Sequence, residues 1–447
     1  MLRWIGGIAA ALVLAAIVAL NVSKVGRIYL PSGTGMTAKQ LCSMVFVSGL
    51  EADYARSIYL DPLMGEAAGF INADIDYDRQ TVSTNIFGLF YRQHAAYRDG
   101  LGCTLVHRRG QFDSDLELLP RQDFQPLELD TAHRDAHFDA AALEAAVLGG
   151  FDDPEADRRN TLGVAVLHQG RLVAEHYAPG ASRETPFLGW SMTKSITATL
   201  AGALEQDGRI DITAQNAVPA LAPEGHGDIT LEHLLRMTGG LAIHEENNGM
   251  DPNSQQLFTA SDMARFSATR RQFAEPGEHW EYMSGQTNLA MHALQAELGT
   301  SLMDQLAAVR AEIFEPIGVY SAIIEPDEAG TLVGSSYMYA TAHDWARLAQ
   351  LYLDDGVWEG ERILPEGWVE RVTTPTDGSD GAYGIGFWLA TEGDNLPEGT
   401  YFMNGFQIQL AMVLPEQELV IVRFGATNNM GAGAFNMTRA IVASMRN

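Results

Sequence analysis

Lysine is almost absent from this 447-residue chain: Lys24, Lys39 and Lys194 are the only three, and arginine supplies every other cation. Against 57 acidic residues the formal net charge is −28. A chain so short of positive charge has no cationic face for phosphate backbones, which excludes nucleic acid as a partner. A polyanionic substrate is disfavoured, although net charge does not fix the field inside one cleft. Cysteine is scarce as well, with only Cys42 and Cys103. No glycine-rich phosphate loop precedes a helix. The histidines are scattered, and His244-Glu245-Glu246 lacks the second histidine of a zincin, so neither a metal nor a cofactor is expected. Ser191 is not in Gly-x-Ser-x-Gly, because Thr193 replaces the last glycine, and an α/β-hydrolase elbow is excluded.

One long apolar run is present, from Trp4 to Val22, preceded by Arg3 and closed by Ser23-Lys24. It is long enough to span a bilayer. Its exit, Val18-Ala19-Leu20-Asn21, is a poor cleavage site. Residues 1–28 are therefore read as an uncleaved membrane anchor, with a cleaved signal as the alternative. In an exported chain the two cysteines read as one Cys42–Cys103 disulfide, with two separate buried thiols as the alternative. The expected location is the periplasmic face of a membrane, or the periplasm itself.

Residues 29–130 carry no clean period and end in a proline-containing polar stretch. They read as an accessory region plus linker. The remainder, 131–447, is better patterned. A helix is predicted over 140–148, and a β-hairpin over 162–168 and 172–177 about Gln169-Gly170. Ser191 opens a predicted helix that stops at Gly208. Residues 402–415 and 418–424 read as two strands, and 434–445 as a closing helix. The expected fold is α+β: an antiparallel sheet flanked by helices, plus a mainly helical subdomain.

Three short segments carry chemistry. In Ser191-Met192-Thr193-Lys194 the two polar side chains share a helix face, so hydroxyl and amine can meet. Arginine cannot be deprotonated at working pH, whereas a buried lysine can. Bringing lysine from its usual ~10.4 to a useful ~7–8 requires an environment favouring the neutral amine by roughly 4 kcal/mol. In Tyr282-Met283-Ser284 the phenol can relay a proton if a nearby cation lowers its pKa, and Ser284 can bond Lys194 or the substrate. In Asn404-Gly405-Phe406 the glycine would let a substrate backbone approach, and the amides of Ser191 and Phe406 would form an oxyanion hole.

Taken in order, Trp190-Ser191-Met192-Thr193-Lys194-Ser195, Tyr282-Met283-Ser284-Gly285 and the segment about Gly405 resemble the serine β-lactamase and penicillin-binding-protein superfamily. Tyr-x-Ser is similar to the 6-aminohexanoate-dimer hydrolase branch rather than to class C β-lactamases. The resemblance covers roughly residues 136–447. It implies Ser191 as acylated nucleophile, Lys194 as base, Tyr282 as proton relay, and Phe406 with Gly405, Ser284 and Asn404 on the oxyanion and substrate side. The expected substrate is a small-molecule or peptide-like amide or ester. Met403-Asn404-Gly405 stands where β-lactamases carry Lys-Thr-Gly, which removes the cation facing a β-lactam carboxylate. Arg423, on the following strand, reads as a solvent-facing residue, with a substitute for that cation as the alternative, and Ile408 stands where many relatives carry glycine and would narrow the cleft. The alternatives are a catalytically silent cell-wall peptide binder or sensor, or a β-lactamase or D-alanyl carboxypeptidase.

Overall fold

A computed structural model describes residues 22–107, 120, 122–151, 159–427 and 433–446. The segment read as a membrane anchor, residues 1–28, lies outside these except for 22–28. Among the described residues no helix is long and apolar enough to cross a membrane.

The first elements are a helix, α1 (Leu30–Phe46), and four strands: β1 (Ile71–Asp76), β2 (Thr81–Ile86), β3 (Phe90–Arg98) and β4 (Gly102–Leu105). The strands form an antiparallel meander in chain order. A disulfide joins Cys42 on α1 to Cys103 on β4. The region has no readable period because α1 is buried nearly all round by small residues, among them Ser32, Gly33, Thr34, Gly35, Thr37 and Ala38. A helix without a polar face gives no amphipathic signal.

The rest of the chain centres on a six-stranded sheet. After helix α2 (Ala140–Gly149) come β5 (Thr161–His168) and β6 (Arg171–Tyr177). The long helix α3 (Thr193–Gln206) follows, then the shorter α4 (Pro252–Thr259), α5 (Ser284–Ala296) and α6 (Ala342–Leu353). The chain returns as β7 (Trp388–Leu389), β8 (Tyr401–Gly405), β9 (Gln409–Leu414) and β10 (Leu419–Gly425), and closes with α7 (Ala434–Ala443). The sheet order is β7-β8-β9-β10-β5-β6, antiparallel throughout.

Both faces of the sheet are covered. Leu162, Ala165 and Leu167 of β5 join one apolar cluster with α3 and α6. Val164 and Val166 join another with Leu143 and Val147 of α2 and Met437 and Ile441 of α7. All eight residues of β5 are therefore buried. Asp139 caps α2 by accepting from the amides of Ala141 and Ala142. The β5–β6 turn has positive φ at Gln169 (50°) and Gly170 (73°), as a two-residue hairpin requires.

Three sequence expectations need correction. The segment 402–415 is two strands, β8 and β9, not one. The chain reverses between them with positive φ at Gln407 (60°) and Ile408 (58°), residue types that do not announce a turn. Ile408 packs against the cluster under α2 and α7, so it does not narrow the cleft. Arg423 is not solvent-facing: only 3% of its surface is exposed, because β10 is a central strand. Its guanidinium donates to Ile408 O (2.5 Å), Arg159 O (2.9 Å) and Thr427 Oγ1 (2.7 Å), and so pins the β8–β9 turn.

Candidate active site

Ser191 lies just ahead of α3, in a short 3₁₀ turn over Trp190–Met192, rather than inside the helix. Trp190 adopts φ +47°, the left-handed region that side-chain-bearing residues enter at a cost. The turn is held by Thr193 Oγ1, which donates to Trp190 O (2.7 Å) and accepts from the Met338 amide (3.1 Å). Gly189, just before it, is packed against the Trp345 ring: a Cβ there would meet that ring at 2.4 Å.

Lys194 is in the first turn of α3 and only 1% exposed. Its Nζ lies 3.0 Å from Ser191 Oγ, 2.9 Å from Ser284 Oγ and 3.1 Å from Ser335 O. Burial pushes its ammonium down to about 8, against the opposing pull of Glu245. The low value expected from sequence has a plain cause in desolvation.

Ser284 opens α5, three residues after Glu281 in the loop that leads into the helix. Its amide and its hydroxyl both donate to Glu245 Oε2, each at 2.7 Å. The Glu245 carboxylate thus sits at a helix N-terminus, where negative charge is favoured. Sequence reasoning saw Glu245 only as part of a failed zinc motif. No local pattern marks it, since its partner is distant in sequence and they meet only in the fold.

Tyr282 stacks at an angle on Trp388 (ring centroids 5.2 Å apart) and meets Tyr383 edge-on (5.6 Å). Lys194 Nζ lies 4.8 Å from its ring centroid. The expected lowering of its pKa by a cation does not occur. Burial first, then Tyr383 and Glu245, push the phenol well above its ordinary range, while interactions with Ser191 and Trp388 oppose this. Tyr282 is thus a neutral O–H group interacting with Ser191.

A Cβ on Gly405 would lie 2.1 Å from Gly189 O, so the glycine permits close approach of the segment before Ser191. This contact sets Phe406 beside Trp190, ring edge to face at 5.7 Å. Among the described residues, neither the Ser191 nor the Phe406 amide donates to an acceptor in the protein. Asn404 is not brought to this site. Strand alternation puts it on the same face as Phe402, toward the cluster under α2 and α7, whereas Met403 faces α3.

Ser191, Ser284, Glu245 and Phe406 border a cavity of about 240 Å³. Among the described residues no lysine or arginine lines it. The arrangement can move a proton from an alcohol to an amine beside two free amide donors, in a largely apolar enclosure.

The fold and this constellation define the class. The β-lactamase family model matches residues 144–444, well over half of the chain, and the protein belongs to that family. A 6-aminohexanoate-dimer hydrolase from Paenarthrobacter ureafaciens is 26% identical over 224 residues, 46% of this chain and 55% of the relative. The match thus spans little more than half of that relative's length. Penicillin-binding protein 4 of Amycolatopsis lactamdurans is 27% identical over 278 residues, 53% of this chain and 68% of the relative. A solved family VIII carboxylesterase shares the fold with a TM-score of 0.53 at 16% identity, over 68% of this chain and 96% of that one.

Proposed function

We propose that this protein is a serine hydrolase that cleaves an ester or amide through an acyl-enzyme, with Ser191 as nucleophile, Lys194 as base and Tyr282 as proton relay. One observation carries the reading: the three partners of Lys194 Nζ. A neutral amine has two hydrogens and one lone pair. Ser335 O can only accept. Ser284 Oγ gives its own proton to Glu245 and so also accepts from the amine. Both hydrogens are then committed, and the lone pair is left facing Ser191.

The steps follow. Lys194 takes the Ser191 proton as Oγ bonds to the substrate carbonyl carbon, and the free Ser191 and Phe406 amides receive the developing oxyanion. The neutral Tyr282 hydroxyl relays the proton in a concerted shift, giving its own proton to the leaving group and taking one in its place as the scissile bond breaks, which needs no phenolate. Water then repeats the sequence on the acyl-enzyme. Because no cation among the described residues lines the cavity, a β-lactam carboxylate finds no charged partner among them. Clear activity on short-chain p-nitrophenyl esters with weak nitrocefin hydrolysis is expected, and the opposite ranking would favour a β-lactamase.

A silent binder on the same fold is the second reading. A fluorophosphonate probe separates the two, because a pure binder leaves Ser191 unmodified. The Cys42–Cys103 bridge supports an oxidising, extracytoplasmic location.

A further inference from the structure

The family match begins at residue 144, yet one wall of the cavity comes from before residue 65. Ser32, Gly33 and Met36 of α1 contribute to it, and Leu63 and Met64 follow from the short helix Asp61–Met64. This wall is fixed in place. A Cβ on Gly35 would lie 2.0 Å from Phe258 O, so α1 and α4 meet backbone to backbone; α4 supplies Leu257 and Phe258 to the same cavity. Gly33 packs beneath Met64, whose Cε would lie 2.7 Å from a Cβ there. The Cys42–Cys103 bridge ties the far end of α1 to β4.

The wall is mostly apolar, with polar atoms at chosen points. Among the described residues, Ser32 Oγ and Asn253 Oδ1 have no hydrogen-bond partner and are sealed within the packing, exposing no surface to the cavity. The Asn253 amide nitrogen donates to Asn247 Oδ1 at 3.2 Å, which leaves its oxygen as a bare acceptor. Among the described residues the one carboxylate bordering the cavity, Glu245, is held by Ser284.

We propose that this N-terminal wall is the substrate-chain subsite. It takes an uncharged ester or amide with an apolar chain of intermediate length beside the reacting carbonyl. The inference rests on the hydrolase reading above and adds the substrate class.

The test uses the full-length protein with p-nitrophenyl acetate, hexanoate and dodecanoate. The wild type is expected to favour hexanoate over acetate by at least about tenfold in kcat/KM, since each buried methylene contributes several-fold. Met36→Trp should bring that ratio near one, and Met36→Ala should move the preference toward dodecanoate. Chain-length ratios unchanged in both Met36 variants would overturn the proposal. Fluorophosphonate labelling of the wild type keeps the two claims apart. An unlabelled Ser191 sinks the hydrolase reading itself, whereas labelling with unmoved ratios sinks only the subsite. Circular dichroism identifies a misfolded Met36→Trp, and Met36→Ala then decides the outcome.

Discussion

In the proposed mechanism the amine of Lys194 works only while neutral, and burial lowers its ammonium to about 8. The pH dependence follows with a definite sign. With the ammonium lowered to about 8, the free enzyme loses its base as pH falls below that value. Acylation kcat/KM should drop about tenfold per pH unit on the acid side and level off above. Lys194→Arg is expected to be nearly as damaging as Lys194→Ala, by about 10²–10⁴-fold, because a permanent cation cannot accept a proton. Substantial acylation by the arginine variant would refute the neutral-base role. Glu245 gives a second residue-scale test. Its charge raises Lys194. Glu245→Gln should therefore shift the acid limb of the pH profile to lower pH, while acylation slows through loss of the charged acceptor for Ser284. A limb that stays in place would mean that Glu245 only caps α5.

At the scale of elements, the site depends on two backbone segments brought into contact. Gly405 lets β8 meet the turn before Ser191, and any side chain there must push them apart. Gly405→Ala is expected to keep the fold but lower kcat about 10²-fold, because displacing Phe406 by even 1 Å misplaces an oxyanion donor. Near-normal turnover would remove Phe406 from the oxyanion role. The same segments show what the sequence reveals. Ser191 and Lys194 are legible because three residues of spacing within one turn suffice to join them. The β5–β6 hairpin is legible because Gly170 punctuates it. The β8–β9 turn is hidden, since Gln407 and Ile408 hold positive φ without glycine or asparagine, under the pull of Arg423 on Ile408 O. Arg423 itself misleads because alternation cannot tell a central strand from one with a wet face. Glu245 leaves no trace, as its role depends on a residue 39 positions away.

At the scale of the whole molecule, the N-terminal region is welded to the family fold by buried charge as well as by sulfur. Lys39 of α1 pairs with Glu325, and both are buried. Ser43 Oγ (2.7 Å) and the Cys103 amide (2.6 Å) donate to the same carboxylate, so α1, β4 and the family domain converge on one group. Burial pushes the Lys39 ammonium down and the Glu325 carboxyl up, while their contact opposes both shifts. Two of the three lysines in this lysine-poor chain are thus buried, one at the site and one behind its wall. Removing one partner leaves the other charge uncompensated, so Lys39→Ala is expected to cost about 3–5 kcal/mol in urea unfolding. Replacing the pair together, Lys39→Met with Glu325→Leu, should cost much less. Opening the disulfide by Cys42→Ser with Cys103→Ser frees a loop of 61 residues in the unfolded chain and should cost about 4 kcal/mol. These lesions lie away from Ser191, so their effect on its labelling by a bulky fluorophosphonate reports the wall. If α1 encloses the cavity, Lys39→Ala should admit the bulky probe faster relative to a small one while the protein remains folded. An unchanged ratio of the two rates would mean that the N-terminal region stabilises the molecule without shaping access to the serine.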